Sequence, residues 1–249
     1  MAKIKGLLKE TSLLLRSTPS LLLTFFVVSV VLMNLLANKS ININLSFVAL
    51  DAGFFISWIS FLSMDILTKR FGPKAATIIS VIALLINLLF SFIFIGISYI
   101  PGVWSESYVD GESDVINNAL DNTFRGAWFV ILGSSVAFLI SAFVNIFLNY
   151  IIGKALKKDN FHSFALRSYV STFIGQFTDN FIFALIVSHA FFDWTILKCL
   201  GCALVGAIFE LIMEIIFSPL GYKVLKRMDE NNVGIEYLKE YGGNLRWKY

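Results

Sequence analysis

"RSYVSTFIGQFTDNFIFALIVSH" (167–189) is the stretch on which the reading of the chain turns. It is long and apolar enough for a membrane-spanning helix, yet Arg167, Gln176, Asp179 and Asn180 stand among its phenylalanines. Advancing roughly 100° per residue, Val170, Phe173, Ile174, Phe177, Phe181 and Ala184 gather on one stripe that can face lipid. Thr172, Gln176, Asp179 and Phe183 fall within about 60° of one another on the other side, with Ser168 and Gly175 beside them. The polar groups therefore point at other helices or at a cavity. In a span over 167–190, Gln176 and Asp179 lie near the midplane, where a charged group costs about 2.5–3.5 kcal/mol on insertion scales. Groups held at that depth pair with one another, line a water-filled path or bind a solute. Two roles are open to them: a hydrogen-bonded clamp between helices, and contact with a substrate or coupling ion, which is the preferred reading.

The rest of the chain has the same character. Of 249 residues 57% are hydrophobic and only 15% charged, against about 25% charged in ordinary soluble domains. A bilayer span needs roughly 20 apolar residues, and six stretches approach this length: about 19–37, 46–64, 75–98, 124–150, 167–190 and 196–218. The expected fold is an all-α membrane domain of six transmembrane helices over residues 1–228, followed by a short cytoplasmic tail over 229–249. The N-terminal run with Lys3, Lys5, Lys9 and Arg16 lacks an A-x-A-like cleavage site, so the first apolar segment reads as a retained helix.

Orientation follows from where the basic residues lie. With the N-terminus inside, the inner segments hold Lys69, Arg70 and Lys74, then Lys154, Lys157 and Lys158, then Lys223, Lys226 and Arg227, besides the N-terminal group and the tail residues Lys239, Arg246 and Lys248. The outer segments hold only Lys39, Arg125 and Lys198. Both termini are thus expected in the cytoplasm. The outer loop at 99–124 carries Glu106, Asp110, Glu112, Asp114 and Asp121 and no basic residue, as either a solvated loop or a lid.

Further polar residues interrupt the other spans. The second contains Asp51, Gly53, Ser57, Ser60, Ser63 and Trp58, and its inner end reads "SMDILTKRFGPKAA", where Asp65 and Thr68 close the helix and Gly72–Pro73 turns the chain. Glu210 and Glu214 lie one turn apart on the sixth span, and Arg167 has the depth to pair with Glu214. These three are read as structural or coupling charges. "SAFVNIF" (141–147) echoes "GQFTDNF" (175–181), a hint of the internal duplication common in transporters. Cys199 and Cys202 form a C-x-x-C in an apolar helix and read as small buried hydrophobes. The chain has only His162 and His189 and lacks serine-hydrolase, zinc-protease and phosphate-loop motifs. No catalysis, cofactor, metal or nucleic-acid partner is expected.

Three segments in order resemble a known family. "MDILTKRFGPKAATII" (64–79) resembles the D-x-L-T-E-x-Y-G-x-x-x-A segment of the VUT family of bacterial membrane proteins, which includes queuosine-precursor transporters. "RSYVSTFIGQFTDNFIF" (167–183) resembles its fifth helix, with the S-T-x-x-G-Q/N-x-x-D core, and "EIIFSPLGYKVLKRM" (214–228) its last helix and exit. Lys69 stands where the family often has glutamate, and Glu210 lies near a position of a frequent lysine. The resemblance implies a fold similar to the six-helix substrate-binding components of vitamin transporters. It also implies uptake of a 7-deazaguanine base such as preQ0 or preQ1, or of queuine, across the bacterial cytoplasmic (inner) membrane. The alternative is a substrate-binding component for another vitamin-like nutrient that works with a separate ATP-driven energising module.

A deazapurine is planar and presents adjacent donors and acceptors, and preQ1 adds an aminomethyl cation. Gln176 can offer both a donor and an acceptor, while Asp179 can accept from amino groups or balance a cation. Trp58 or Phe183 can stack on the ring. Asn180, Asp65 and Thr68, which fall within the resembling segments, complete the candidate substrate-binding set.

Overall fold

The computed structural model describes residues 2–42, 49–104, 113–156 and 160–242. Helix α1 (Ala2–Ser17) ends at Thr18, whose hydroxyl donates to the Leu14 carbonyl at 2.8 Å. Pro19 then forces an extended residue and a bend of 108° into α2 (Ser20–Leu36). A short antiparallel ladder pairs β1 (Ser40–Asn42) with β2 (Ala49–Asp51), Ser40 opposite Asp51. Then come α3 (Phe54–Phe71), α4 (Pro73–Ile97), α5 (Ser113–Gly126), α6 (Trp128–Ala155) and α7 (Phe161–Phe183). A π-helical turn over Ala184–His189 and the short α8 (Ala190–Phe192) lead to α9 (Ile196–Glu230) and α10 (Ile235–Tyr241).

Among the described residues, α4, α6, α7 with its π-helical extension, and α9 are each long and apolar enough to cross a membrane. The bent α1–α2 pair makes a fifth if counted as one span. Apolar side chains such as Leu85, Leu89, Phe92, Phe143, Phe147 and Ile216 stay exposed on the periphery while polar ones turn inward. That inversion is stable only where the surroundings are hydrocarbon. The chain is a multi-pass membrane protein.

Helix α3 sits at the centre, packed on α2, α4, α6, α7 and α9. Its placement corrects the expected span of 46–64. Asp65 and Thr68, expected to close the helix, lie within α3 together with Lys69 and Arg70, and all four are buried. They are solvated by protein: Arg70 donates to Asp229 Oδ1 at 2.5 Å and to the Val233 carbonyl, and Lys69 lies 5.9 Å from the rings of Phe164 and Tyr222. Gly72, at φ 90°, supplies the expected turn into Pro73.

Three other boundaries move for local reasons. α6 starts at Trp128 rather than at 124, because α5 is a separate helix that breaks at Ala127. Asp114 and Asp121 belong to α5, while Glu106, Asp110 and Glu112 lie outside the described residues. α7 starts at Phe161, capped by Asn160 Oδ1 accepting from Ser163 N at 2.9 Å, so His162 and Arg167 lie inside the helix. α9 continues past 218 to Glu230 with Pro219 inside it.

The tail is docked, with α10 packed against α1. Tyr237 is buried, its hydroxyl donating to Glu10 at 3.3 Å and its ring edge-on to Phe71, and Lys74 and Lys9 bind Glu10 and Glu240 at 2.6 and 2.9 Å. Residues 243–249 lie outside the description. Gly234 joins α9 to α10 at φ 74°, and a Cβ there would strike the Phe71 ring. Gly234→Val is therefore expected to undock α10. The left-handed backbone alone costs about 1–3 kcal/mol for such a residue, so a lower melting temperature and faster trypsin cleavage at Lys239 should follow.

Candidate functional site

Gln176 and Asn180 are four residues apart on α7 and so share a face. Both aim at Glu210 on α9. Asn180 Nδ2 donates to Glu210 Oε2 at 3.0 Å, and Gln176, with its amide turned so that nitrogen meets the carboxylate, lies 3.2 Å from each oxygen. Ser57 on α3 donates to Glu210 Oε1. One buried carboxylate thus gathers donors from two neighbouring helices. Asp179 faces the other way and accepts from Ser141 of α6 at 2.7 Å.

The two echoing segments lie face to face. Ser141 meets Asp179, and a Cβ on Gly175 would come within 3.0 Å of the Asn145 Cβ and 2.8 Å of the Phe61 ring. Small residues at such crossings let helix backbones approach closely. Gly175→Leu is expected to push α7 off α3 and α6, seen as loss of folded protein on size-exclusion chromatography in detergent.

Above this layer opens a cavity of about 350 Å³, within the range of small-molecule sites. Phe54, Phe129, Phe183 and Trp194 give it aromatic walls. Asn38, Asp51, Asn122, Thr123, Asn180 and Ser188 give it polar groups. Part of one wall is the π-helical turn, through Ala184, Val187 and Ser188. Helical π segments widen the turn and occur often at functional sites. Gly133 of α6 admits this turn, because a Cβ there would lie 2.5 Å from Val187 Cγ2. Asn122 and Thr123 of α5 make the acidic outer segment part of the wall.

Asp51 is held at the cavity by Gly53, whose N–H donates to Asp51 Oδ1 at 2.7 Å. A Cβ on Gly53 would meet the Met33 carbonyl at 2.5 Å and that same Asp51 oxygen at 2.7 Å. Backbone cannot yield as a side chain does. Gly53→Ala should displace the Asp51 carboxylate and lower the melting temperature in detergent.

The sequence candidates divide between places. Asn180 and Phe183 line the cavity. Gln176 is fully buried against Glu210, and Asp179 is bonded to Ser141; neither is among the lining residues. Trp58 stacks on Phe217 at 4.1 Å and donates to the Phe55 carbonyl, away from the cavity. Asp65 is deeply buried and accepts from Asn145 at 2.9 Å and from Ser168. Thr68, three residues further along α3, is buried, and its hydroxyl has no hydrogen-bond partner among the described residues. Glu214 Oε1 lies 2.6 Å from Ser168 Oγ, while Arg167 interacts electrostatically with Asp65 and lies over Phe164. Ala184, expected on the lipid stripe, is buried, because the chain there enters the π-helical turn and packs on α9, with Cys199 Sγ 3.5 Å from its carbonyl. Cys199 and Cys202 are buried thiols not joined to each other in a disulfide.

A family model described as "Putative vitamin uptake transporter" matches residues 51–224. The chain belongs to this family. The match begins at Asp51 and contains every cavity-lining residue except Ala37 and Asn38. No curated protein and no solved structure matches the chain.

Cavity residues missing from the sequence candidates are mostly aromatic. Phe54, Phe129 and Trp194 look like ordinary membrane-helix residues in a linear reading. Asp51 carried a signal, as a lone carboxylate at the start of an apolar run.

Proposed function

We propose that the protein imports a flat, polar nitrogen heterocycle of the 7-deazaguanine class, such as preQ0 or preQ1, or queuine, across the bacterial cytoplasmic membrane. The observation that carries this reading is the cavity: four aromatic side chains surround Asp51 and Asn180 in a volume suited to one small ring system. Stacking on aromatic walls is worth about 1–3 kcal/mol per base in nucleic-acid sites. A carboxylate and amides read the donors and acceptors on the ring's edge.

In this reading all six long helices cross the bilayer and both termini are cytoplasmic. The end bearing Lys69, Arg70, Lys74, Lys154, Lys223 and Arg227 then faces the cytoplasm, as the distribution of basic residues favours. The cavity opens to the outside, and the polar layer around Glu210 separates it from the interior. The role is transport, with no catalytic step.

The test is rescue of queuosine in transfer RNA in cells unable to make or import its precursors, supplied with preQ0, preQ1 or queuine singly. Rescue by one of them is the expected result, and failure with all three would overturn the substrate class. Uptake by the purified protein alone in vesicles would separate autonomous transport from a substrate-binding component that depends on an energising module.

A further inference from the structure

Below the cavity, α3, α6, α7 and α9 enclose a second polar cluster that does not line it. Asp65, Asn145, Asn149, Arg167, Ser168, Ser171, Thr172 and Glu214 are all buried. The Ser168 hydroxyl is within hydrogen-bonding distance of two carboxyl groups: Asp65 Oδ2, and Glu214 Oε1 at 2.6 Å. A hydroxyl has one proton to donate. Two ionised carboxylates cannot both accept it, so one of the three hydrogen-bonding groups must supply a further proton.

The surroundings decide which. Asp65 is the acceptor centre, receiving Asn145 Nδ2 at 2.9 Å and Thr172 Oγ1 at 3.3 Å, with the Arg167 charge acting on it. Ser171, 3.5 Å away, has a closer acceptor in the Ser168 carbonyl at 3.1 Å. Among the described residues, Glu214 Oε1 meets Ser168 and its buried Oε2 has no hydrogen-bond partner. An ionised carboxylate oxygen without donors in a buried site is far more costly than a neutral carbonyl oxygen there. Placing the proton on Glu214 Oε1 lets Glu214 donate to Ser168, which in turn donates to Asp65, and leaves Oε2 as the less costly neutral oxygen.

We propose that Asp65, Ser168 and Glu214 form a proton-binding site that couples solute uptake to the transmembrane proton gradient. The coupling rests on the transport reading above; the bound proton does not. Transfer needs no other reactant. The Glu214 proton passes to Ser168 Oγ as the Ser168 proton passes to Asp65, leaving Glu214 ionised and Asp65 neutral. Release from Asp65 to water on the basic side leaves both carboxylates charged, opposite Arg167.

Glu210 precedes Glu214 by one turn of α9, about 6 Å along its axis, and is bonded to cavity-lining Asn180. A solute that moved Asn180 would therefore act on the helix that carries the proton. Asp65 on α3 is the charged group that meets Glu214 through Ser168, and Arg167 on α7 acts on Asp65; Lys69 on α3 lies at the Phe164 and Tyr222 rings, Glu210 on α9 is bonded to Asn180 and Ser57, and α6 contributes the neutral amides Asn145 and Asn149.

Infrared spectroscopy of the purified protein in lipid tests the site without any substrate. At neutral pH Glu214→Gln should remove a carbonyl band of a protonated carboxylic acid, and Ser168→Ala, which takes away its acceptor, should shift that band. A protonated-carboxyl spectrum unchanged by both substitutions overturns the site. Coupling is read with radiolabelled preQ0 in proteoliposomes. Accumulation should follow an imposed inside-alkaline gradient, and Glu214→Gln should lose at least tenfold in that accumulation yet retain exchange of preloaded preQ0. Accumulation that follows a sodium gradient instead, or exchange insensitive to pH in the unaltered protein, overturns the coupling while leaving transport intact. Failure of preQ0 exchange in the unaltered protein overturns preQ0 as the solute and its coupling with it, whereas the infrared result stands independently.

Discussion

Glu210→Ala is expected to abolish measurable uptake and to lower the melting temperature in detergent more than any other single substitution around the cavity. The reason is the convergence on its carboxylate. Asn180 and Gln176 of α7 both direct amide donors to Glu210, and Ser57 of α3 adds a hydroxyl. Ser57 can turn to the Phe54 carbonyl, 3.2 Å away, but the two amides are left with donors and no acceptor. A buried donor left unmade costs about 1–3 kcal/mol. Measured interhelical hydrogen bonds in membranes average nearer 0.6 kcal/mol, which brings the loss to about 1–4 kcal/mol. Function suffers more than stability, because Asn180 lines the cavity and Glu210 fixes its rotamer. Glu210→Gln, which keeps one acceptor oxygen, should fold and retain partial uptake. Initial rates at matched membrane abundance and thermal unfolding measure both effects, and an Ala variant unchanged in both would remove Glu210 from its central position.

The same carboxylate shows how far the sequence could be read. Helical periodicity put Thr172 and Gln176 on an inward face, and both are fully buried. It could not say what they meet, because partners on α9 and α3 lie 30 residues or more away in sequence and their rotation about their own axes is set by packing. Asp65 is the clearest case. A charged residue near the end of an apolar run looks like a helix exit, and only the surrounding Asn145, Ser168 and Thr172 make a buried continuation affordable. The partner of Trp58 was illegible for a related reason: an aromatic in a membrane helix has many possible neighbours, and Phe217 is the one it stacks on. The π-helical turn at Ala184–His189 carried no legible mark, since its residues are ordinary helix formers and its widening comes from packing on α6 and α9.

Asp51→Asn should separate two solutes that differ by one charge. Asp51 is the one carboxylate among the described residues lining the cavity, and Gly53 orients it. If the solute is preQ1, its aminomethyl cation donates a charge-assisted hydrogen bond to Asp51, an interaction worth about 1.5–3 kcal/mol. Removing the charge while keeping the shape should then raise the half-saturation concentration for preQ1 roughly tenfold to a hundredfold, at about 1.4 kcal/mol per factor of ten. For preQ0, which has a neutral nitrile in place of the cation, an asparagine still offers an acceptor to a ring donor, and the loss should stay within a few fold. Competition against radiolabelled uptake reads both in one assay. Equal losses for the two solutes would mean that Asp51 contacts the shared ring edge, and no loss for either would place the solute away from Asp51, against the aromatic walls of Phe129, Phe183 and Trp194 alone.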